Sequence, residues 1–251
     1  MEVIQILRQS SIGGIFYFLG ERAVNQSTPQ VAKLVNSGQI YLRPYATFSH
    51  PNSLAGFLLL SLFLFGLSSK TKIAGFVSLV GICLSFSKTA IITTLLYLLE
   101  VFKKKVVILC VLIPLSLFLV KPIVDRSGSL MARSYLITPT LDIIQKYPLF
   151  GVGLGGYFTA LARHLPENQT TPSMLQPVHN SILLLLSETG LLGLISLIYI
   201  LNRIKIWQRP RLLELITLVT LVGGFDHYWV TLPQNKLILM LSLYLVYSQS
   251  T

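Results

Sequence analysis

Long apolar runs joined by short basic linkers constrain the fold of this chain more than any other feature of its sequence. Charged residues make up only 12% of the 251 residues, whereas a soluble domain carries about 25%. A helix needs about 20 largely apolar residues to cross a membrane. The pattern therefore predicts an all-α polytopic transmembrane bundle with a helical external loop between spans. The predicted spans cover residues 53–68, 73–87, 89–102, 106–121, 180–201, 212–225 and 236–249.

Three linkers between these runs hold nine of the twenty Lys and Arg residues. By the positive-inside rule such linkers face the cytoplasm, which places residues 41–52, 87–89, 121–179 and 226–235 outside and the C-terminus inside. Because the net charge of +11 is concentrated in linkers rather than on one face, the pattern argues against a nucleic-acid partner and for membrane lipids. The linker residues are Lys70, Lys72, Lys103, Lys104, Lys105, Arg203, Lys205, Arg209 and Arg211.

The chain divides in sequence into four parts. Residues 1–52 form an N-terminal external or interfacial segment, in which 3–20 favours an interfacial helix or a broken span. Transmembrane helices follow in 53–121, then a large external loop in 122–179, and further transmembrane helices in 180–251. The loop is too long for a plain connector, so it is the region with room for structure over a substrate.

Within that loop the sequence predicts one helix and one turn. Thr138 and Pro139 are typical of a helix N-cap and first turn, and the helix should end by Pro148. The glycine-rich stretch 151–156 indicates a turn. It lacks the Gly-Lys-Ser/Thr sequence and the βαβ context of a phosphate-binding loop, so it is not expected to cradle phosphate.

The two cysteines fall inside apolar runs. Cys83 and Cys110 are therefore expected to be small buried hydrophobic residues. Their positions indicate neither a disulfide framework nor a metal site.

His179 and Asn180 lie where the polar loop meets the apolar run that follows. An imidazole at this boundary can accept a proton from a substrate, or it can simply help to cap the helix with Asn180 as its partner. Glu188 lies about 13 Å deeper along a helix and on roughly the opposite face, so it is not expected to orient His179. An acid inside a membrane is functional or pairs with a basic residue of a neighbouring span.

Basic residues at the outer ends of the predicted spans are candidates for phosphate binding. Arg126 and Arg133 bracket the start of the external loop. Arginine suits bidentate phosphate recognition, and the alternative is snorkelling to lipid head groups. Lys88 stands between two apolar runs, where it either contacts an anion or acts as an interfacial anchor.

Two further segments carry histidines on the predicted outer side. In the run 43–52, Pro51 and Asn52 indicate a turn, Asn52 or Ser53 can cap the next helix, and His50 favours a structural role. In the second segment, Asp226 precedes His227. A carboxylate beside an imidazole can tune it, but adjacent residues do not usually face each other.

Three stretches of this sequence resemble signatures of the O-antigen ligase and polymerase family of membrane glycosyltransferases. Arg43-Pro-Tyr-Ala-Thr-Phe-Ser-His-Pro-Asn-Ser-Leu-Ala resembles Gly-Thr-Phe-x-His-Pro-Asn-x-x-Ala. Arg133, a helix and then Tyr147-Pro-Leu-Phe-Gly-Val-Gly resemble the family's Arg, helix, Asn-Pro-Leu-x-Gly-x-Gly arrangement. His179-Asn180 followed by Gly190-x-x-Gly193 fits His-Asn-x9-Gly-x-x-Gly without a gap. The resemblance runs from about residue 42 to residue 197.

The resemblance implies a bacterial enzyme of the cytoplasmic membrane with its active face outward, working in cell-envelope polysaccharide synthesis such as that of lipopolysaccharide. It would transfer a glycan from an undecaprenyl-diphosphate donor to an acceptor sugar hydroxyl, with inversion and without a metal or cofactor. His179 would activate the acceptor hydroxyl, Arg133 would bind the donor diphosphate, and Lys88 would stand in for a family arginine. Arg126 joins the diphosphate candidates, and the supporting candidates are Asn180, Arg43, His50, Glu188, Asp226 and His227.

The sequence departs from the family pattern at three points. Lys88 keeps the charge of the arginine but loses its planar fork, and Pro139 is expected to break or kink the helix after Arg133. Family members commonly have more spans, so the chain is expected to correspond to the C-terminal part of the fold. Ligase and polymerase both stay open, and the alternatives are a transporter of lipid-linked sugar or an inactive fragment of such a ligase.

Overall fold

The structure is a computed structural model that describes residues 1–36, 38–65, 71–102, 135–165 and 175–249. It divides into two compact units, Met1–Asp125 and Arg126–Thr251, and each unit is described by itself. The predicted span 106–121, Arg126, Arg133 and Cys110 lie outside the described residues. Most of the described chain is helical, as the apolar periodicity predicted.

The first unit begins with small elements rather than with one interfacial helix. Helices α1 (Glu2–Arg8) and α2 (Ile15–Phe18) precede a two-stranded antiparallel sheet of β1 (Lys33–Asn36) and β2 (Gln39–Leu42). The sheet corrects the expectation of an all-α fold. Val35 pairs with Ile40, two β-branched residues that suit strands, and Gly38 takes the positive φ of 79° that a tight hairpin needs.

A buried polar network fixes this N-terminal region. The Glu21 carboxylate accepts hydrogen bonds from the backbone N–H groups of Ile12 and Gly13 and from the Gln5 amide. The Gln5 amide oxygen in turn accepts from the backbone N–H groups of Tyr45 and Ala46. Buried polar groups are costly unless they are paired. This network therefore holds α1 against residues 45–46.

Three apolar helices complete the described part of the first unit. They are α3 (Pro51–Phe65), α4 (Lys72–Leu84) and α5 (Lys88–Phe102), each beginning within two residues of a predicted span. Leu59, Leu60 and Ile82 are fully buried between these helices or against their neighbours. Cys83 on α4 is exposed, which corrects the expectation that it is buried, because its side chain lies on the face of α4 that no other described element covers.

The second unit contains six α-helices and one 3-10 helix among its described residues. Pro139 lies in the first turn of the first of them, where its missing N–H would be unsatisfied in any case. Pro139 therefore lies in a first turn, as expected for Thr138 and Pro139, and the chain just before this helix forms a turn at Leu136. In chain order the helices are α6 (Ile137–Lys146), α7 (Tyr157–His164), α8 (Ser181–Arg203), the 3-10 helix Ile206–Gln208, α9 (Pro210–Gly223), α10 (Tyr228–Thr231) and α11 (Pro233–Ser248).

Within the part of the chain that the structure describes, α8 is the one helix long and apolar enough to cross a membrane. Helices α3, α4 and α5 are apolar but shorter, so the arrangement of several spans stays a prediction. Helix α8 also differs from the predicted continuous run, because Gly190 has φ 63° and ψ −167° and interrupts it.

Candidate functional site

The start of α8 is closed by the side chain of Asn180. Its amide oxygen accepts hydrogen bonds from the backbone N–H groups of Ile182 and Leu183, at 3.0 and 2.9 Å. Asparagine is among the preferred N-cap residues because it satisfies N–H groups that the helix itself cannot pair. Asn180 is therefore the cap, and the preceding His179 is not needed for that purpose.

The same turn of α8 holds the segment between α9 and α10. The Asn180 amide donates to the Gly224 carbonyl at 3.0 Å, and the Ser181 hydroxyl donates to the Asp226 carbonyl at 2.8 Å. Gly223 allows this approach, since a Cβ there would lie 3.3 Å from Ser181. Two hydrogen bonds thus bring residues 224–226 next to residues 180–181, more than forty positions earlier in the chain.

The docking places Asp226 and His227 against His179. The Nδ1 atom of His179 lies 3.8 Å from the Oδ1 atom of Asp226, and the ring centroids of His179 and His227 are 5.0 Å apart. The Asp226 side chain is only 6% exposed and that of His179 is 22% exposed. Asp226 and His227 are adjacent in sequence, and both side chains contact His179.

Hydrogen bonds orient the two neighbours of His179. Asp226 accepts from the backbone N–H of His227 at 2.9 Å, and the Nδ1 atom of His227 lies 2.8 Å from the Thr231 hydroxyl. That hydroxyl also donates to the His227 carbonyl at 3.2 Å. His179 differs from both, since its Nδ1 atom is buried and has no hydrogen-bond partner among the described residues.

The residue before His179 anchors it from the other side. Val178 is buried with Ile143, Tyr157, Leu161 and Leu184 in a core formed by α6, α7 and α8. His179 is thus held between this core and the capped helix, with little freedom to move. Such restraint keeps a reactive group in one orientation.

Tyr157 in the same core is itself fixed by a polar contact. Its hydroxyl lies 2.8 Å from that of Thr140, which also donates to the Leu136 carbonyl. Burial raises the pKa of Tyr157, although the Thr140 hydrogen bond works against that rise. The phenol therefore stays neutral and serves the packing of α6 against α7.

The interruption of α8 is filled by the glycine-rich turn. Leu191 and Leu192 donate their N–H groups to the Pro148 and Leu149 carbonyls, at 2.8 and 3.1 Å. In return the Ser187 and Glu188 carbonyls accept from Val152 and Gly153, both at 2.9 Å. These four bonds satisfy groups that the break removes from the helical ladder.

Glycines are required on both sides of this contact. A Cβ at Gly151 would lie 2.4 Å from the Glu188 backbone, and one at Gly190 would lie 2.3 Å from the Leu149 carbonyl oxygen. The glycines of the second and third family-like stretches are therefore one structural feature, a turn docked into a helix break. Glu188 is buried at this contact, where its carbonyl accepts the hydrogen bond from Gly153.

Three of the other predicted site residues lie in the first unit. The Arg43 guanidinium donates to the Ser85 carbonyl and to the Asn52 side chain, at 2.7–3.0 Å. The Nδ1 atom of His50 accepts from the Asn52 N–H at 3.1 Å. Arg43 and His50 therefore hold the start of α3 together, while Lys88 is the half-buried first residue of α5.

His50, rather than Asn52 or Ser53, caps α3. The Asn52 oxygen accepts from Arg43 instead, and Ser53 is buried inside the helix. This corrects the expected cap, and it assigns His50 the structural role that the sequence favoured.

Sequence reasoning missed Ser181 and Thr231 as parts of the cluster. The four-residue spacing from His227 to Thr231 is a helical one and was a usable signal. Tyr228 is a further neighbour, and its pKa is raised well above the usual phenol value by burial and by the nearby Asp226 carboxylate. The Tyr228 phenol therefore stays protonated and lines the site without acting as a base.

The chain was compared with models of known protein families. A family model described as O-antigen ligase matches residues 55–198, which is more than half of the chain. The match contains Lys88, His179 and both glycines of the helix break, and it ends before Asp226. No curated protein matches the chain significantly.

Proposed function

The chain belongs to the O-antigen ligase family, and from this we propose that it transfers a glycan from an undecaprenyl-diphosphate donor to an acceptor sugar hydroxyl. Membership supports a membrane-associated role in polysaccharide synthesis with lipid-linked glycan substrates in general. The specific donor, the inverting course of the reaction and its independence of metal are parts of the proposal.

The proposed setting is the bacterial cytoplasmic membrane, with a polytopic bundle and the reaction on its outer face. Helices α3, α4, α5, α8, α9 and α11 start within three residues of the predicted spans, which supports the assignment of these helices as spans. The basic linkers then face the cytoplasm. On this topology His179, Asp226 and His227 lie at the outer boundary, where the head group of a lipid-linked donor would be presented.

The observation that carries the proposed chemistry is the 3.8 Å approach of the His179 Nδ1 atom to the buried Asp226 carboxylate. A carboxylate at this position favours an N–H on Nδ1 and so leaves the lone pair on Nε2. It also stabilises the imidazolium that forms when the ring takes a proton. This supports the proposal of His179 as the general base and of Asp226 as the residue that orients it.

The reaction is a single displacement. As Nε2 of His179 accepts the hydroxyl proton, the acceptor oxygen bonds to the anomeric carbon of the donor, and the bond from that carbon to the diphosphate oxygen breaks. The electron pair leaves with the lipid diphosphate, and attack from the opposite face inverts the anomeric centre. Because the leaving group is already activated, the protein supplies mainly charge and positioning.

Basic side chains would stabilise the departing diphosphate. Lys88, Arg126 and Arg133 are the proposed contacts, and their positive charges would do the work that a metal ion does in other phosphate-transfer sites. Arg43 and His50 are left out of this set, because their hydrogen bonds serve the start of α3. Asn180 acts by holding the turn that carries His179.

Replacement of His179 by alanine tests the proposal. His164 is the matched control in the same unit, since its ring lies 2.8 Å from the Ala160 carbonyl on α7. With a lipid-diphosphate-linked glycan and an acceptor in membranes, His179→Ala should lower transfer by about 10²–10⁴-fold, the usual contribution of a general base. His164→Ala should retain most of the transfer. Unchanged transfer in His179→Ala would exclude its role as the base.

A further inference from the structure

The side chains of His179, Asp226 and His227 form more than a pair of acid–base groups. Each offers one ligand atom, and the three atoms lie within 4.8 Å of one another. Asp226 is buried and the two imidazoles are half-buried. Two imidazoles and one carboxylate are a donor set that divalent transition metals such as Zn²⁺ and Co²⁺ bind, whereas Mg²⁺ and Ca²⁺ prefer oxygen alone.

The distances suit a small ion with little rearrangement. Tetrahedral coordination with bonds of about 2.0–2.1 Å sets the ligand atoms about 3.3–3.5 Å apart. His179 Nδ1 and Asp226 Oδ1 are already 3.8 Å apart, too far for a hydrogen bond and close to the spacing that two metal ligands need. The ligand atom of His227 lies within 4.8 Å of both.

The Nδ1 atom of His179 is buried beside the Asp226 carboxylate. This nitrogen is shielded from solvent and accepts or donates no hydrogen bond among the described residues. A buried polar atom without a partner costs about 1–3 kcal/mol, so such atoms point to a group that satisfies them in some state of the protein. A metal ion between Nδ1 and Asp226 would do so.

A contact with the Thr231 hydroxyl holds the His227 ring. The Nδ1 atom of His227 lies 2.8 Å from that hydroxyl, which leaves Nε2 as the ring nitrogen that an ion can take. Metal-binding histidines are commonly held this way, by a hydrogen bond from the other ring nitrogen.

From these four observations we propose that His179, Asp226 and His227 form a binding site for a divalent transition-metal ion, and that the bound ion inhibits transfer. The inhibition rests on the proposed role of His179. A metal on Nδ1 takes the lone pair of that nitrogen, so the ring proton moves to Nε2. With a proton on Nε2 the ring cannot accept another from the acceptor hydroxyl. The ion and the base function therefore exclude each other.

Metal binding is tested apart from activity. The full chain is purified in lipid nanodiscs, treated with chelator and titrated with Co²⁺, whose visible absorption reports tetrahedral nitrogen and oxygen ligation. We expect saturable binding of Co²⁺, displaced by Zn²⁺ and not by Mg²⁺. His227→Gln and Asp226→Asn should each weaken it by at least about tenfold, while His164→Ala should bind as the unaltered chain does. Absence of saturable binding, or equal binding by the cluster variants, would refute the site.

Thr231→Val provides a variant that keeps all three ligands. It removes the hydroxyl that contacts the Nδ1 atom of His227 and conserves the shape of the side chain, so folding is little affected. Affinity for Co²⁺ should fall by about 10–100-fold, as for other lost partners of metal-binding histidines. Undiminished affinity would contradict the proposed use of His227.

Inhibition is then measured as glycan transfer with Zn²⁺ added and removed by chelator. We expect transfer to fall with the same concentration dependence as Co²⁺ displacement and to return with chelator. Full activity at saturating Zn²⁺ would overturn the inhibition. If Zn²⁺ binds and no transfer occurs under any condition, the proposed function fails and the metal site stands. If transfer depends on His179 and no metal binds, the reverse holds.

Discussion

Residues 50–52 in the first unit and residues 179–181 in the second are similar in sequence, since in each a histidine and an asparagine precede or begin a helix. In the first, His50 itself accepts the N–H of Asn52, which lies in the first turn and has no acceptor within the helix. In the second, Asn180 accepts the exposed N–H groups, and the Nδ1 atom of His179 has no hydrogen bond among the described residues. The residue that caps the helix thus decides which histidine is left for chemistry.

Pro51 explains part of this difference. Proline at the first helical position has no N–H, so the first donor that needs a partner is that of Asn52. A histidine directly before Pro51 can reach that donor. In the second segment Asn180 stands directly before the helix and accepts from the N–H groups of its first turn. His179 therefore lies one residue further from the helix than His50 does.

Two buried carboxylates give the same contrast. Glu21 in the first unit is 5% exposed and accepts from two backbone N–H groups and one amide. Asp226 in the second is 4% exposed, accepts from the N–H of His227 and faces His179. The first acid serves the fold, whereas the second brings its charge to an imidazole.

The largest expected effect comes from adding a side-chain atom at Gly190, where helix α8 is interrupted and the turn 151–156 docks. Gly190→Ala adds a Cβ 2.3 Å from the Leu149 carbonyl oxygen at a residue with φ 63°. Steric overlap and backbone strain together should lower the free energy of unfolding by about 2–5 kcal/mol. Thermal unfolding in detergent measures the loss.

Gly155→Ala is the control for that substitution. Gly155 has a φ of 77° but nothing within 4 Å of an added Cβ, so only backbone strain of about 1–2 kcal/mol is expected. Equal losses for the two variants would show that the docked turn contributes nothing beyond its backbone conformation.

The next effect concerns the charge beside His179. Asp226→Asn keeps the shape of the side chain and its acceptor for the His227 N–H, but it removes the negative charge. Transfer should fall by about tenfold to a hundredfold, since interactions with a charged group contribute about 1.5–3 kcal/mol and 1.36 kcal/mol is tenfold in rate. The loss should be in kcat, with KM for the donor little changed. A variant as active as the unaltered protein would remove Asp226 from the mechanism.

A smaller effect is expected at the cap of the first segment. His50→Ala removes the acceptor for the Asn52 N–H, and loss of a cap costs about 1 kcal/mol. The free energy of unfolding should fall by that amount, and transfer per folded molecule should fall far less than in His179→Ala. If His50→Ala instead abolished transfer without destabilising the protein, His50 would act in the reaction and not as a helix cap.

The smallest effect is a pH dependence at Glu21. Burial tends to raise its pKa, but hydrogen bonds from Ile12, Gly13 and Gln5 outweigh this and leave the pKa below the usual 4.5. The carboxylate therefore stabilises the fold above that pH, and the contribution is lost as pH falls through the lower pKa of the folded state. Glu21→Gln should be less stable than the unaltered chain at neutral pH and equally stable in acid. A constant difference across the pH range would contradict this.

Much of the helical framework was predictable because apolar runs reveal helices directly. Helices α3, α4, α5, α8, α9 and α11 all begin close to the expected starts. The hairpin of β1 and β2 was missed since its strands are only four residues long, too short for a periodic signal. The first turn at Thr138 and Pro139 was predictable because a proline is tolerated there, although the helix begins at Ile137, slightly earlier than expected.

The candidate site was predictable in its members and not in their arrangement. His179, Asp226 and His227 were all candidates from sequence, but nothing local brings residue 179 to residue 226. That approach depends on the hydrogen bonds of Asn180 to Gly224 and of Ser181 to Asp226. The structural role of His50 was favoured by the sequence, whereas the role of Arg43 became visible only from its contacts at the start of α3.

The sequence by itself determined the family, the apolar helices and the importance of His179, because these depend on the order of residues along the chain. The tertiary structure decided what His179 can do. It brought a buried carboxylate and a second imidazole to one nitrogen and left that nitrogen without a hydrogen bond among the described residues. Contacts between residues so far apart depend on how helices dock, and helix docking is set by packing and hydrogen bonds that spacing in the sequence does not encode.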